Sequence, residues 1–104
     1  MNIEKAVVNE VELEYSVLGK KEEEPIIFIH GGIIADANIP LFSEPSLKNY
    51  QLIHYRRRGY ARSSKDKLRV SISEQALDCK NLLDYLEINH VLPYLLFKNK
   101  VLKD

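Results

Sequence analysis

A single cysteine, Cys79, means that no internal disulfide can form, and a reducing compartment is the expectation. No apolar run approaches the roughly 18 residues of a membrane span. The opening "MNIEKAVVNE" has no basic segment followed by an apolar one, so no secretory signal is read there and a cytoplasmic location is expected. Net charge is zero, which excludes a global field drawing the chain to nucleic acid or to a membrane. A local imbalance lies beneath it. Residues 56–69, "RRRGYARSSKDKLR", hold seven Lys/Arg against one Asp, and the rest of the chain carries the opposing charge.

What is present suits one compact unit. The 104 residues match a single hydrophobic core, and a content of 45% hydrophobic residues is too apolar for disorder. In "VELEYSV", Val11, Leu13, Tyr15 and Val17 alternate with Glu12, Glu14 and Ser16, the period of a strand with one face buried and one in water. "IEKAVV" before it reads as a weaker strand, and Asn9-Glu10 as a hairpin turn. "PIIFI" (25–29) is apolar at consecutive positions, as in a strand covered on both faces. Pro40 and Pro45 break any helix in 33–48. "YQLIHY" (50–55) is a further strand, ending in the basic loop.

The clearest helix is "SISEQALDCKNLLDYLEI". Ile72, Ala76, Cys79, Leu83 and Leu86 form its apolar stripe, with Glu74, Asp78, Lys80, Asn81, Asp84 and Glu87 elsewhere. Ser71 or Ser73 caps it, and Glu74 suits the positive end of the helix dipole. Leu82, Leu83 and Leu86 read as core, and Cys79 as a small core residue, not a reactive thiol. After His90, "VLPYLLFKNKVLKD" is apolar enough for a strand, but Pro93 argues against a central one. Two antiparallel strands followed by alternating strands and helices make an α/β chain.

In order along the chain, three features coincide. The hairpin "KAVVNEVELEYSVLG" leads into "PIIFIHGG"; "YQLIHYRRRGYARSS" follows; then comes "SISEQALDCKNLLDYLEINHV". Together residues 1–90 resemble the N-terminal part of an α/β-hydrolase domain. The second stretch looks like the family's Tyr-Asp-Arg-Arg-Gly-Tyr-Gly-x-Ser, and the third like the helix before its nucleophile strand. Arg56 stands in place of the pattern's Asp, losing a carboxylate that could pair with the arginines, and Ala61 in place of its Gly. The resemblance implies an incomplete α/β-hydrolase sheet, with residues 91–104 as a divergent tail and no second domain. It also implies a small-molecule ester or related acyl substrate, with no cofactor and no metal. In the family the turn after the His-Gly strand gives one backbone N–H to the oxyanion hole. Here that donor is expected at Gly32 or at Ile33, with His30 and Gly31 shaping the turn.

The family's next element is a strand ending in Gly-x-Ser-x-Gly, followed later by the acid and the base. None of these occurs in the 104 residues, and "VLPYLLFKNKVLKD" has neither Ser nor Gly. An oxyanion donor alone retains little of the catalytic effect. Ser63, Ser64, His30, His54 and His90 show no spacing that predicts a nucleophile–base pair or a metal site; His30 reads as a brace for its turn, His54 as a packed strand residue, and His90 as a residue at the helix C-terminus. Arg56–Arg58 lack the aromatic platform of a nucleic-acid site.

Three readings stay open. The first is the N-terminal part of a hydrolase, inactive alone through truncation or a frameshift near residue 90. The second is a non-catalytic module that pairs with itself or a full-length relative through an open edge of the "PIIFI" strand. With the nucleophile strand missing beside "PIIFI", a marginal or partner-dependent domain is expected. The third is a serine hydrolase whose site has gone unrecognised, at Ser63 or Ser64.

Overall fold

The computed structural model describes residues 2–30, 36, 39–60, 63, 71–95, 100 and 101. The first two strands, β1 (Glu4–Val8) and β2 (Val11–Leu18), form an antiparallel hairpin, with Val8 opposite Val11. The turn places Asn9 at φ 48° and Glu10 at φ 66°, positive at both central positions, as the twist of a two-residue hairpin requires. Asn tolerates that region; Glu sits there at some cost.

Strand β3 (Glu24–Ile29) runs parallel to β4 (Tyr50–Tyr55), and β4 lies antiparallel to β2. Between β3 and β4 the chain makes two short 3-10 turns, Ile39–Ser43 and Pro45–Leu47, parted at Glu44, whose extended backbone (φ −71°, ψ 122°) is what a following proline demands. Gly19, at φ 100°, lets the β2–β3 connection pass close to β4: a Cβ there would lie 2.6 Å from the Tyr50 carbonyl oxygen.

Helix α1 spans Ile72–Tyr85. The Ser71 side chain accepts from the Glu74 N–H at 3.0 Å, closing its first turn. The last turn ends with Glu87 at φ 60°, where Glu87 N–H donates to Asp84 O (3.0 Å) and Ile88 N–H to Leu83 O (2.9 Å), the pattern usually built around glycine. Beyond it, β5 (Leu92–Leu95) lies parallel to β3, and β6 (Lys100–Val101) antiparallel to β5. The sheet order is β1-β2-β4-β3-β5-β6.

Alternation splits the buried side chains between two faces. Toward α1 point Ala6, Val8, Val11, Leu13, Ile27, Ile53 and Tyr55, packed with Leu82 and Val91. Toward the 3-10 turns point Ile26, Phe28 and Leu52, packed with Leu41, Phe42 and Leu47. The apolar run of β3 is thus covered on both sides, as its composition predicts.

Four expectations need correction. The polar face of β2 is not in water, because Glu14 and Ser16 are buried, β4 and the basic loop having closed over them. The buried row of α1 holds Asp78 and Leu82, whereas Ile72 is 86% exposed and Ala76 is exposed as well. Cys79, Leu83 and Leu86 do pack on the core. Pro93 does not keep its strand out of the sheet's interior, because β5 lies between β3 and β6 and fills the edge of β3, with Ile27 opposite Pro93. Because β6 pairs only with Tyr94 and Leu95, Pro93 has no described strand on its other side, where a residue without N–H is tolerated. Finally, His90 is exposed past the helix end and does not sit on its last turn.

Candidate functional site

Parallel strands β3 and β4 end side by side, and His30 follows directly on β3. Its ring is 3% exposed, and its Nε2 accepts the backbone N–H of Arg57 at 2.9 Å. An accepting Nε2 requires the neutral tautomer with hydrogen on Nδ1. The Tyr60 ring stands edge-on to the imidazole with centroids 4.6 Å apart. The His30 ring thus ties the end of β3 to the first residues of the basic loop. Gly31, Gly32 and Ile33 lie outside the described residues, as do Ala61 and Ser64.

Each of the three consecutive arginines is engaged within the chain. Arg56 donates to Asp36 through Nε and Nη2, both at 2.8 Å, and through Nη1 to buried Glu14 at 3.1 Å. Two hydrogen bonds from the guanidinium hold the Asp36 carboxyl below the usual carboxylate range. The same bonds push Arg56 up, against the opposing effect of its burial. Arg57 reaches Gln75 of α1 and lies over the Tyr60 ring, 4.9 Å from the centroid. Arg58 is bidentate to Asp78, Nε to Oδ2 at 2.6 Å and Nη2 to Oδ1 at 2.7 Å, with Glu74 at 3.8 Å. Arg56, standing where the resemblance expects Asp, has recruited its own two carboxylates, and α1 supplies partners for the other two arginines.

The nucleophile candidates fare differently. Ser63 is 6% exposed, and its hydroxyl donates to Arg56 O at 2.7 Å while accepting the Glu14 N–H at 2.9 Å. A hydroxyl spent on two backbone groups, inside the protein, is a structural staple and is poorly placed to attack a substrate. Cys79 packs on the core, next to Tyr55, whose phenol is pushed well above its usual value chiefly by burial. His54 is 2% exposed, with the Phe42 ring edge-on at 6.1 Å. Among the described residues, no three His, Cys, Asp or Glu side chains gather as a metal site, and no helix is long and apolar enough to cross a membrane.

Sequence reasoning missed Asp78, hidden among other helix acids. The signal available was the run of three arginines, which needs buried counter-charges if the loop packs against the helix.

This architecture is that of the α/β-hydrolase fold, represented by an incomplete sheet. A membrane phospholipase A described as a bacterial virulence factor superposes with a TM-score of 0.80 at 19% identity, over 90% of this chain and 31% of that one. A hydrolase from Pseudomonas aeruginosa PA01 gives 0.80 at 20% identity, over 90% and 36%. Epoxide hydrolase A from Mycobacterium thermoresistibile gives 0.79 at 19%, over 90% and 30%. At such identities the likeness is one of fold. The chain spans about a third of the length of these structures. No protein-family model and no curated sequence matches it.

Proposed function

We propose that this chain is the oxyanion-turn portion of a hydrolase acting on ester or related acyl substrates, and that these 104 residues alone do not turn over substrate. The observation that carries the reading is the neutral, buried His30 braced by the Arg57 amide at the end of β3, directly before the two glycines. Gly32 is the proposed oxyanion donor, with His30 and Gly31 holding its turn. Against it stands the absence of any Gly-x-Ser-x-Gly in the sequence.

The β5 strand supports the inactive half of the reading. It takes the place beside β3 that the nucleophile strand takes in the family, and it leads through residues 96–99 to antiparallel β6, with no serine after it. A nucleophile, acid and base must then come from outside these residues. The lone cysteine, packed on the core, is consistent with a cytoplasmic setting.

The test is hydrolysis of 4-nitrophenyl acetate by the purified chain, together with labelling by a fluorophosphonate. The expected rate is that of buffer, with no label. Turnover at enzymic speed that Ser63→Ala removes would overturn the reading.

A further inference from the structure

On the sheet face opposite α1, a cleft of about 270 Å³ opens between the hairpin, β4 and the first 3-10 turn. Ser16 and His54 form its floor and Arg56, Ile39 and Ile3 stand around it. Ser16 and His54 are register partners across β2 and β4, so their side chains rise side by side from one face. Both are buried, at 3% and 2% exposure. Among the described residues no hydrogen bond of the Ser16 hydroxyl is found and its oxygen is not sealed off, so it presents a donor and an acceptor to the cleft.

We propose that this cleft binds a neutral small molecule that combines an apolar ring or short chain with one carbonyl or amide group. Size sets the first limit. An apolar cavity of about 150 Å³ holds a benzene, so this cleft accommodates a monosubstituted ring and little more. Charge sets the second. Among the described residues, the Arg56 guanidinium is paired with both Glu14 and Asp36, so an anion gains Arg56 only by displacing a carboxylate. A cation gains a partner only by displacing Arg56 from both. A neutral carbonyl instead accepts from Ser16 Oγ–H while its apolar body lies against Ile3 and Ile39. Ser16 is not hydrogen-bonded to His54, so the pair is arranged for holding a ligand and not for attacking it. The site is separate from the His-Gly-Gly turn and does not depend on the proposed hydrolase role.

Benzamide, benzoate and benzylamine share one ring and differ in charge, which makes them the probes. Each is titrated into the isotope-labelled full chain and followed by amide shifts. Benzamide is expected to perturb Ser16, His54 and their strand neighbours with a Kd in about the millimolar range. Ser16→Ala is expected to weaken it about fivefold, the loss of one ordinary hydrogen bond. Ile39→Trp, which fills the mouth, is expected to abolish it with the spectrum otherwise native. The proposal fails if benzamide leaves these amides unmoved at its solubility limit. It fails equally if benzoate or benzylamine binds there as well as benzamide does, or if Ser16→Ala binds benzamide unchanged.

Discussion

Three donors converge on Asp78, whose residue is 1% exposed: two from Arg58 and the Asn9 side-chain amide, at 2.8 Å. Loop, helix and hairpin turn meet at that one carboxylate. Removing it takes the bidentate partner from the buried Arg58 guanidinium and leaves Glu74 at 3.8 Å, an effect of about 3–5 kcal/mol where buried pairs are broken from one side. Asp78→Ala is therefore expected to lower Tm by at least about 12 °C for a domain of this size. Because the cost lies in a buried charge that has lost its bidentate partner, Arg58→Met combined with Asp78→Leu should melt above Asp78→Ala. Thermal denaturation of the two variants checks this, and a double variant melting no higher than Asp78→Ala refutes it. At this scale the sequence was partly legible. The core leucines could be assigned from period. Asp78 could not, since an acid on a helix reads as solvated until its partner's location is known, and Ser63 looked available because nothing local reveals that Glu14 N–H would claim it.

Among the elements, Asp36 works as a strap. It lies between the His-Gly-Gly segment and the first 3-10 turn, accepts from Arg56 at the end of β4, and its carbonyl accepts the Ile39 N–H at 3.1 Å. Its carboxyl is depressed in the folded state, chiefly by the Arg56 hydrogen bonds. The sign follows: a lowered folded value contributes stability that is full above the unfolded carboxylate value of about 3.9 and is lost as pH falls through the folded value. With 48% of the Asp36 side chain exposed, solvent screening keeps the contribution modest. Asp36→Asn is thus expected to be less stable than the parent at pH 7 and equal to it near pH 2, as read by urea midpoints. A difference that persists unchanged into acid would show that the pairing is not the source. Strand and helix identities came readily from periods of 2 and 3.6, and the prolines announced the broken segment at 39–47. The two-sided burial of β2 did not show, because a face covered by a loop's arginine and serine carries the same polar letters as a face in water.

For the molecule as a whole, the sheet's continuity past β3 decides whether this third of a hydrolase fold stands alone. Its radius of gyration, 12.9 Å, is that of a compact domain of this length, about 13 Å. That compactness depends on β5, which satisfies β3 along Ile26–Ile29. Sequence could not settle the point, since "VLPYLLF" carries both the apolar content of a strand and a proline that speaks against one. The edge at β1 is short and presents exposed Glu4 and Lys5, charges that discourage pairing with another chain, although Val7 beside them is 71% exposed. Deleting residues 91–104 uncovers the β3 ladder, whose own side chains Ile26, Ile27 and Phe28 are among the most deeply buried in the molecule. An unpaired apolar strand at that position seeks a substitute, and a second copy is the nearest one. The deletion variant is expected to form dimers or larger species at tens of micromolar, measured by light scattering on a sizing column, while the full chain elutes as a monomer. Were the deletion variant monomeric with an equally sharp melt, β5 would be dispensable, and the open-edge association that the sequence suggested would lose its physical basis.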